Sequence, residues 1–215
     1  MKTVLFVLGG KVINNKPDGH YALRINAAIE YYEGHSSTEE IYFVVSGRWT
    51  NVTDAFALTE AEVGRRFILS HIPEAVVYKE DISVELIGNY AFSKPLIEAI
   101  KPDSVIVFTS NLLLKRNRTI GQRIFADHTL FKYEVITDEL SDNEVLVAKE
   151  ESAVKLFNNL FVGVKDGDDA KFRDILLYST PYYFKGIVDD KDYFDSYWDG
   201  GYERYLNALN VRNNT

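Results

Sequence analysis

Cysteine is absent from the 215 residues of this sequence, which excludes disulfide bonds, thiol catalysis and cysteine zinc sites. Histidine is scarce: His20, His35, His71 and His128 are scattered, and no two have the spacing of a metal-binding pair. The sequence also has no G-x-S-x-G nucleophile elbow and no triad-like order of serine, histidine and acid. The best-known signatures of hydrolases and zinc enzymes are therefore missing.

Long hydrophobic runs are also scarce, and basic residues are fewer than acidic ones. The N-terminal segment MKTVLFVLGGK has only about six consecutive apolar residues, too few for a signal-peptide core or a membrane span, and it predicts a first β-strand. The net charge is −8, so the surface as a whole does not attract nucleic acid or acidic membranes. We therefore expect a cytoplasmic protein with no membrane span and no nucleic-acid partner.

Short β-branched runs alternate with helical patterns in the first two thirds of the chain. The predicted strands are 3–8, 41–45, 75–78, 105–108 and 133–136, and the predicted helices are 21–32, 59–70, 83–100 and 111–126. Thr59 is the predicted N-cap of the second helix, and Glu62 completes a capping box. This alternation predicts an α/β fold with a mainly parallel sheet and helices on both faces.

The alternation stops after residue 137. A long helix is predicted at 144–164, a loop at 165–169 and another helix at 171–178. The tail from 181 to 205 is crowded with aromatic residues, which either stack on a base or sugar or fill a core between tail and sheet. We interpret 1–140 as the α/β domain and 141–215 as a helical appendage packed on it.

Polar residues follow the predicted strands at the points where they end. In parallel sheets the ligand crevice lies beyond the carboxyl ends of the strands, so these residues are expected to meet in one cleft. The four strand ends are Gly9-Gly10, Ser46-Gly47-Arg48, Lys79-Glu80-Asp81 and Thr109-Ser110-Asn111.

The first two strand ends have both a functional and a structural interpretation. Gly9 and Gly10 allow backbone N–H groups to approach a phosphate or carboxylate, or they only form a turn with positive φ. Lys11 and Arg48 either supply positive charge to a ligand or are solvated surface residues. The full G-x-G-x-x-G dinucleotide fingerprint is absent.

The turn Thr109-Ser110-Asn111 precedes a basic helix. One of these residues is expected to cap the helix, but capping does not explain three of them with Arg116 one turn further on. Basic side chains at a helix N-terminus oppose the helix dipole, and a bound anion removes this conflict. The pattern therefore favours an anionic ligand, such as a nucleotide or sugar phosphate.

Acidic residues also lie near the predicted cleft. Glu60 begins a helix, where the dipole favours an acid without any function, and Glu80, Asp81 and Glu85 cluster near the third strand end. These carboxylates either hold a divalent metal or form a solvated edge, and we predict no metal site. Asn89 lies four residues after Glu85, on the same helical face, and can both donate and accept hydrogen bonds.

Six short motifs occur in the order and spacing of a known family. They are VLGG, ALRINAA, VVSG, TEAE, EDISVELIGN and FTSNLLLKR, and together they resemble the SanA/YdcF-like proteins, the superfamily called domain of unknown function 218. The resemblance covers about residues 3–137. It implies a Rossmann-like three-layer α/β/α fold. Some members are linked to envelope and polysaccharide metabolism, and one soluble member is associated with S-adenosylmethionine, which is thus a possible cofactor.

The resemblance also implies site residues, and it marks a departure from the family pattern. The matching positions are Gly9, Gly10, Arg24, Ser46, Gly47, Glu60, Ser83, Asn89, Thr109, Ser110 and Arg116. Leu113 stands at the family's usual histidine position, so it is expected to pack in the core or to form an apolar wall of the cleft. Any acid–base step is then expected to use Glu60 or Glu85.

These observations lead to one functional hypothesis with two alternatives. The first is a cytosolic protein that binds a nucleotide-like or phosphorylated small molecule, such as S-adenosylmethionine or a sugar nucleotide. The second is a transferase or hydrolase of envelope polysaccharide metabolism, and the third is a catalytically inactive interaction protein. The predicted ligand-binding residues are Gly9, Gly10, Lys11, Arg24, Ser46, Gly47, Arg48, Asn89, Thr109, Ser110, Asn111 and Arg116.

Overall fold

A computed structural model describes residues 1–48, 58–126, 130–136 and 139–179. The predicted aromatic tail at 181–205 lies outside the described residues. None of the described helices combines the length and the apolarity needed to cross a lipid bilayer. In chain order the elements are β1 (Lys2–Leu8), β2 (Val12–Ile13), β3 (Lys16–Pro17), α1 (Gly19–His35), β4 (Glu40–Ser46), α2 (Glu60–His71), β5 (Val76–Glu80), α3 (Leu86–Ile100), β6 (Ser104–Ser110), α4 (Leu114–Phe125), β7 (Phe131–Ile136), α5 (Glu144–Leu160) and α6 (Asp169–Ser179), with a short 3₁₀ helix (Glu139–Asp142) before α5.

The central sheet has five strands in the order β5-β4-β1-β6-β7, and all of its neighbouring pairs are parallel. Strands β2 and β3 form a small separate hairpin. The strand order reverses between β1 and β6, which makes this the switch point where such sheets open a crevice. The predicted mainly parallel, Rossmann-like α/β architecture is confirmed.

The two faces of the sheet are covered by different helices. Val4, Phe6 and Leu8 of β1 pack in one cluster with α3, α4, α5 and α6, whereas Leu5 and Val7 pack in the other with α1 and α2. These β1 side chains are at most 4% exposed. A strand that is covered on both faces has no face exposed to solvent, which explains the continuous apolar run of β1.

Helices α5 and α6 share the core on the α3 and α4 side of the sheet. Phe157, Phe161 and Phe172 belong to the same hydrophobic cluster as Phe6 of β1. Arg123 of α4 donates hydrogen bonds to the main-chain oxygens of Phe161, at 3.1 Å, and of Val164, at 2.8 Å. A second link comes from the buried Lys94 of α3, whose Nζ donates to Ile124 O at 3.0 Å and also contacts the Asp169 carboxylate.

Two predicted helix starts are corrected by the structure. Helix α4 begins at Leu114, and its N-cap position is Leu113, which makes no side-chain cap. Thr109 and Ser110 instead complete β6, so the expected capping by this polar turn is wrong. Helix α3 begins at Leu86, because Glu85 caps it, and not at residue 83.

The predicted cap of α2 is confirmed, but only half of the capping box forms. The Thr59 hydroxyl accepts from the Glu62 main-chain N–H at 3.1 Å. The Glu62 carboxylate pairs instead with Arg66, at 2.8 Å, and with Lys79, at 3.4 Å. Helix α5 ends at Leu160, four residues before the predicted end, and Phe161 and Val164 then follow its last turn into the core.

Candidate functional site

A cleft of about 260 Å³ opens at the carboxyl ends of β1 and β6, at the switch point of the sheet. Its lining combines apolar side chains on one part with polar and charged groups on the other. The apolar lining residues are Leu8, Val84, Leu86 and Leu113, and the others are Gly9, Gly10, Arg24, Glu60, Ser83, Glu85, Asn89, Thr109 and Arg116. Leu113 thus forms part of an apolar wall, which is one of its two predicted positions.

Glu60 is a buried acid of the cleft whose pKa is strongly shifted. Its side chain is 9% exposed, and within the described part of the chain its carboxylate makes no hydrogen bond or close ion pair. Burial raises the pKa of Glu60 well above its usual range; the charge of Arg24 opposes this shift and that of Glu80 adds to it. A buried, unpartnered carboxyl group that faces a cleft is typical of a site that binds or transfers a proton.

Two glycines leave the space that the Glu60 side chain occupies. A Cβ atom on Gly9 or on Gly47 would overlap Glu60 Oε2, and on Gly9 it would also lie 2.5 Å from Ser46 O. Gly47 has φ 133°, a conformation that side chains of other residues rarely adopt. The two strand-end glycines therefore leave room for an acid, and the binding of a phosphate by Gly9 stays a prediction.

Arg24 and Tyr21 of α1 fix the backbone around this acid. Arg24 is 6% exposed, and its Nη2 donates to Gly9 O at 2.9 Å and to Leu8 O at 3.2 Å. The Tyr21 hydroxyl donates to Glu60 O at 2.6 Å. Burial lowers the pKa of Arg24, although the neighbouring Tyr21 and Glu60 act in the opposite direction. Arg24 is thus a cation on the cleft whose donors mainly hold the first strand end in place.

A buried network lies beneath the cleft around Glu80. Its Oε1 accepts from the N–H groups of Ile82, at 2.6 Å, and Ser83, at 2.8 Å. Its Oε2 accepts from the Ser46 hydroxyl at 2.6 Å and contacts the Ser83 hydroxyl. The Ser83 hydroxyl also contacts Asn89 Oδ1 at 2.5 Å, so the network connects the ends of β4 and β5 to a polar side chain on the cleft.

Glu85, the second predicted catalytic acid, has a structural task. Its Oε2 accepts from Ile87 N at 2.6 Å, and its Oε1 accepts from Gly88 N at 2.5 Å. Both oxygens therefore cap the first turn of α3, where a negative charge is also favoured by the helix dipole. This arrangement leaves Glu60 as the predicted acid that is better placed to act on a ligand.

On the opposite side of the cleft, Thr109 is held by a buried amide. Asn117 Nδ2 donates to Thr109 Oγ1 at 2.9 Å and to Leu113 O at 3.0 Å, and Asn117 Oδ1 accepts from the Tyr90 hydroxyl at 2.9 Å. Asn117 is fully buried and was not among the predicted site residues. Asn117 lies in a basic, polar helix. The sequence of this helix does not show that this position faces β6, because that depends on how the helix packs on the sheet.

Arg116 lines the cleft but is already in contact with an acid. Its Nε lies 2.9 Å from Glu150 Oε2 of α5, with the two side chains 22% and 19% exposed. Burial raises the pKa of Glu150, and the positive charge of Arg116 partly offsets that rise. The charge that the sequence pattern assigned to a ligand is therefore shared with a residue 34 positions further along the chain.

The structure brings eight of the predicted site residues to the described lining of the cleft. The other six are placed differently: Ser46 and Gly47 lie beneath it, Lys11 pairs with Asp18 at 2.9 Å, and Ser110 is buried at the end of β6. Arg48 and Asn111 are also away from the described lining, and Asn111 is exposed. The eight lining residues are Gly9, Gly10, Arg24, Glu60, Glu85, Asn89, Thr109 and Arg116.

Sequence reasoning gave no separate role to several residues of the cleft. Val84 lies in the loop before α3, Leu86 is the first residue of this helix, and the Tyr21 ring contacts Arg24 behind the cleft. In the described ranges no three histidine, aspartate or glutamate side chains are grouped closely enough to hold a metal ion.

Comparisons of the chain with family models, with curated proteins and with solved structures found no significant match. The resemblance to the SanA/YdcF-like proteins therefore stays a prediction that rests on six short motifs.

Proposed function

We propose that the cleft binds a nucleotide-like or phosphorylated small molecule. The observation that carries this proposal is the Glu60 carboxyl group, which is buried at the switch point of a parallel sheet, lines the cleft and makes no hydrogen bond to the described residues. Burial of such a group without a hydrogen bond costs free energy, which a ligand that bonds to it would recover. Because its pKa is raised, the protonated group can donate a hydrogen bond to a phosphate or hydroxyl oxygen.

The two-sided lining supports a ligand with an apolar face and polar edges. Leu8, Val84, Leu86 and Leu113 suit the face of a base or sugar ring, while Asn89 and Thr109 suit its hydroxyl or amide edges. The cleft volume of about 260 Å³ suits a mononucleotide or sugar phosphate better than a dinucleotide. The family resemblance suggests S-adenosylmethionine and sugar nucleotides. These larger ligands would bind with part of the molecule outside the cleft.

Negative charge on the ligand is supported by Arg116 and by the start of α4. No side chain caps this helix, and its N-terminus lies beside the cleft at Leu113. The positive end of the helix dipole and a neighbouring guanidinium together favour an anion.

A second candidate function is an acid–base enzyme that uses the same cleft, such as a transferase or hydrolase. It is favoured by the raised pKa of Glu60, because a pKa shifted upwards makes a carboxyl group a better general acid and base. In this case Glu60→Gln would abolish turnover of a substrate that it still binds. The pH–rate profile of the native protein would show one limb that follows the titration of Glu60.

A thermal-shift screen tests the binding proposal. The protein is heated with nucleoside monophosphates, sugar phosphates, sugar nucleotides and S-adenosylmethionine; a ligand at 100 times its Kd should stabilise the fold by ~2.7 kcal/mol. Asn89→Ala and Arg116→Ala should weaken binding of a hit, the latter by ~1.5–3 kcal/mol if a hydrogen bond to a charged group is lost.

Two predicted ligand residues that lie away from the described lining provide matched controls. Lys11→Ala and Arg48→Ala remove positive charges near the strand ends and should leave the affinity for the hit unchanged. The cleft is not the binding site if these two changes weaken binding while Asn89→Ala and Arg116→Ala do not. A screen without any stabilising compound would favour a protein that acts through its surface.

A further inference from the structure

The Arg116–Glu150 pair links α4 to α5 beside the cleft. Arg116 Nε and Glu150 Oε2 lie 2.9 Å apart, and both atoms are buried. Neither atom makes a hydrogen bond, because the N–H group is not directed at the oxygen. The contact is therefore a partly desolvated charge pair in which Arg116 Nε and Glu150 Oε2 make no hydrogen bond.

Arg116 is also the cleft cation best able to change partner. The described lining has two cations, and Arg24 already donates from Nε and Nη2 to main-chain oxygens of β1 and of the turn that follows it. Releasing Arg24 would leave those carbonyl groups unpaired, whereas releasing Arg116 would break one poorly aligned contact. An anion in the cleft would thus compete with Glu150 for Arg116.

This competition limits which anions bind. A ligand carboxylate carries the same single charge as Glu150. Exchanging Glu150 for such a ligand as the partner of Arg116 therefore gains little binding free energy. A phosphate monoester carries a charge of about −1.5 to −2 at neutral pH and has three acceptor oxygens, which a guanidinium bonds in pairs. A neutral ligand does not compete with Glu150 for Arg116.

We propose that Glu150 is a specificity-determining residue, which holds Arg116 in the free protein and releases it to a phosphate monoester but not to a carboxylate or a neutral ligand. This inference rests on the proposed function, because it assigns the phosphoryl subsite of the same cleft. It gives α5 a direct role in the site, although α5 lies outside the part of the chain that the family resemblance covers.

Isothermal titration of the full chain with AMP, inorganic phosphate and adenosine tests this inference. Glu150→Gln keeps the shape of the side chain and removes its charge, so AMP and phosphate should bind roughly tenfold more tightly, a difference of about 1.4 kcal/mol. Any affinity for adenosine should be unchanged. Glu151→Gln is the matched control, because Glu151 pairs with Lys115 between the same two helices at 3.6 Å, with side chains 53% and 69% exposed. This variant should bind like the native protein.

The outcomes separate the two proposals. If AMP and phosphate bind to Glu150→Gln as they do to the native protein, or more weakly, Glu150 does not compete for Arg116, and only this inference fails. If neither protein binds AMP or phosphate and no phosphorylated compound stabilises the native protein, the proposed function fails as well.

A measurement on the native protein covers the case in which Glu150→Gln does not fold. With ¹⁵N-labelled arginine, the Nε–H resonance of Arg116, assigned by its loss in Arg116→Lys, should move when AMP or phosphate is added. It should stay in place when adenosine or acetate is added. A resonance that phosphate and AMP leave unmoved at concentrations that bind would overturn the inference.

Discussion

Glu60 and Glu80 are two buried carboxyl groups near one cleft, and their surroundings differ in the number of donors. Glu80 is 4% exposed and accepts from two main-chain N–H groups and from the Ser46 and Ser83 hydroxyls. Glu60 is 9% exposed and has no such partner in the described part of the chain. A satisfied carboxylate holds strand ends together, while an unsatisfied one is available to a ligand.

Replacement of Glu60 by glutamine should change how stability depends on pH. The folded-state pKa of Glu60 is raised, so the unfolded chain releases this proton first as pH increases. The free energies of unfolding of the native protein and the variant should therefore be most alike below about pH 4.5. As pH rises from there through the raised pKa, the native protein should lose stability relative to the variant. Urea unfolding at a series of pH values measures this difference, and a difference that shrinks with rising pH would contradict it.

Glu62→Gln should show the opposite dependence and serves as the control. Burial raises the pKa of Glu62, but the hydrogen bonds and positive charges of Arg66 and Lys79 together outweigh burial, and the net shift is downward. Its contribution to stability is thus present above about pH 4.5 and is lost as pH falls through the lowered pKa. The variant should therefore be less stable than the native protein at neutral pH and equal to it in acid.

Gly9→Ala tests whether the strand-end glycine exists to accommodate Glu60. The added methyl group would overlap Glu60 Oε2 and approach Ser46 O to 2.5 Å, so we expect a loss of ~1–3 kcal/mol in the free energy of unfolding. Gly34→Ala in α1 is the control, because no atom lies within 4 Å of the added carbon. It should stabilise the protein by up to ~1 kcal/mol through helix propensity. Equal effects of the two changes would refute this account of Gly9.

At the level of elements, the N-termini of α3 and α4 beside the cleft differ in their capping. Helix α3 begins with a capped turn, since the Glu85 carboxylate accepts from Ile87 N and Gly88 N. Helix α4 begins at Leu114 without a side-chain cap. The two helices lie on the same face of the sheet and border the same cleft, so the site has one helix N-terminus capped by an acid and one whose N-cap residue makes no side-chain cap.

Glu85→Ala should therefore act through α3 and not through chemistry. Loss of the cap should lower the free energy of unfolding by ~1 kcal/mol, and amide hydrogen exchange should increase first at Ile87 and Gly88. Glu85→Gln keeps an acceptor oxygen and should retain part of this stability. If Glu85→Gln is as stable as the native protein but loses a measured activity, Glu85 has a chemical role beyond its capping role.

At the scale of the whole molecule, the sequence predicts the sheet better than the site. Strand positions follow from apolar runs that end at glycine or serine, such as 3–8 before Gly9, and each of the five predicted strands overlaps an observed one. The pairing of Arg116 with Glu150 has no local signal, because it depends on how α5 packs against α4. The cap formed by Glu85 was equally concealed, since an acid near a strand end is also the expected pattern of a catalytic residue.

Helices α5 and α6 were predicted to form an appendage, and their side chains share a core with the sheet. Phe172 of α6 is fully buried and packs with Phe161 at 4.8 Å between ring centroids, in the cluster that contains Phe6 of β1. Removal of such a side chain should be felt by every element that shares its cluster. A separately folding appendage would instead confine the effect to itself.

Phe172→Ala distinguishes these possibilities. In a shared core it should lower the global free energy of unfolding by ~3–5 kcal/mol and leave a single cooperative transition, because the cavity lies in a cluster common to α6 and β1. Urea unfolding followed by circular dichroism gives the global value, and hydrogen exchange compares amides of α6 with those of β1. Val162→Ala is the control, since Val162 is 81% exposed and should change stability by less than ~0.5 kcal/mol. Faster exchange in α6 with unchanged protection of β1 would mean that α6 unfolds independently of the sheet.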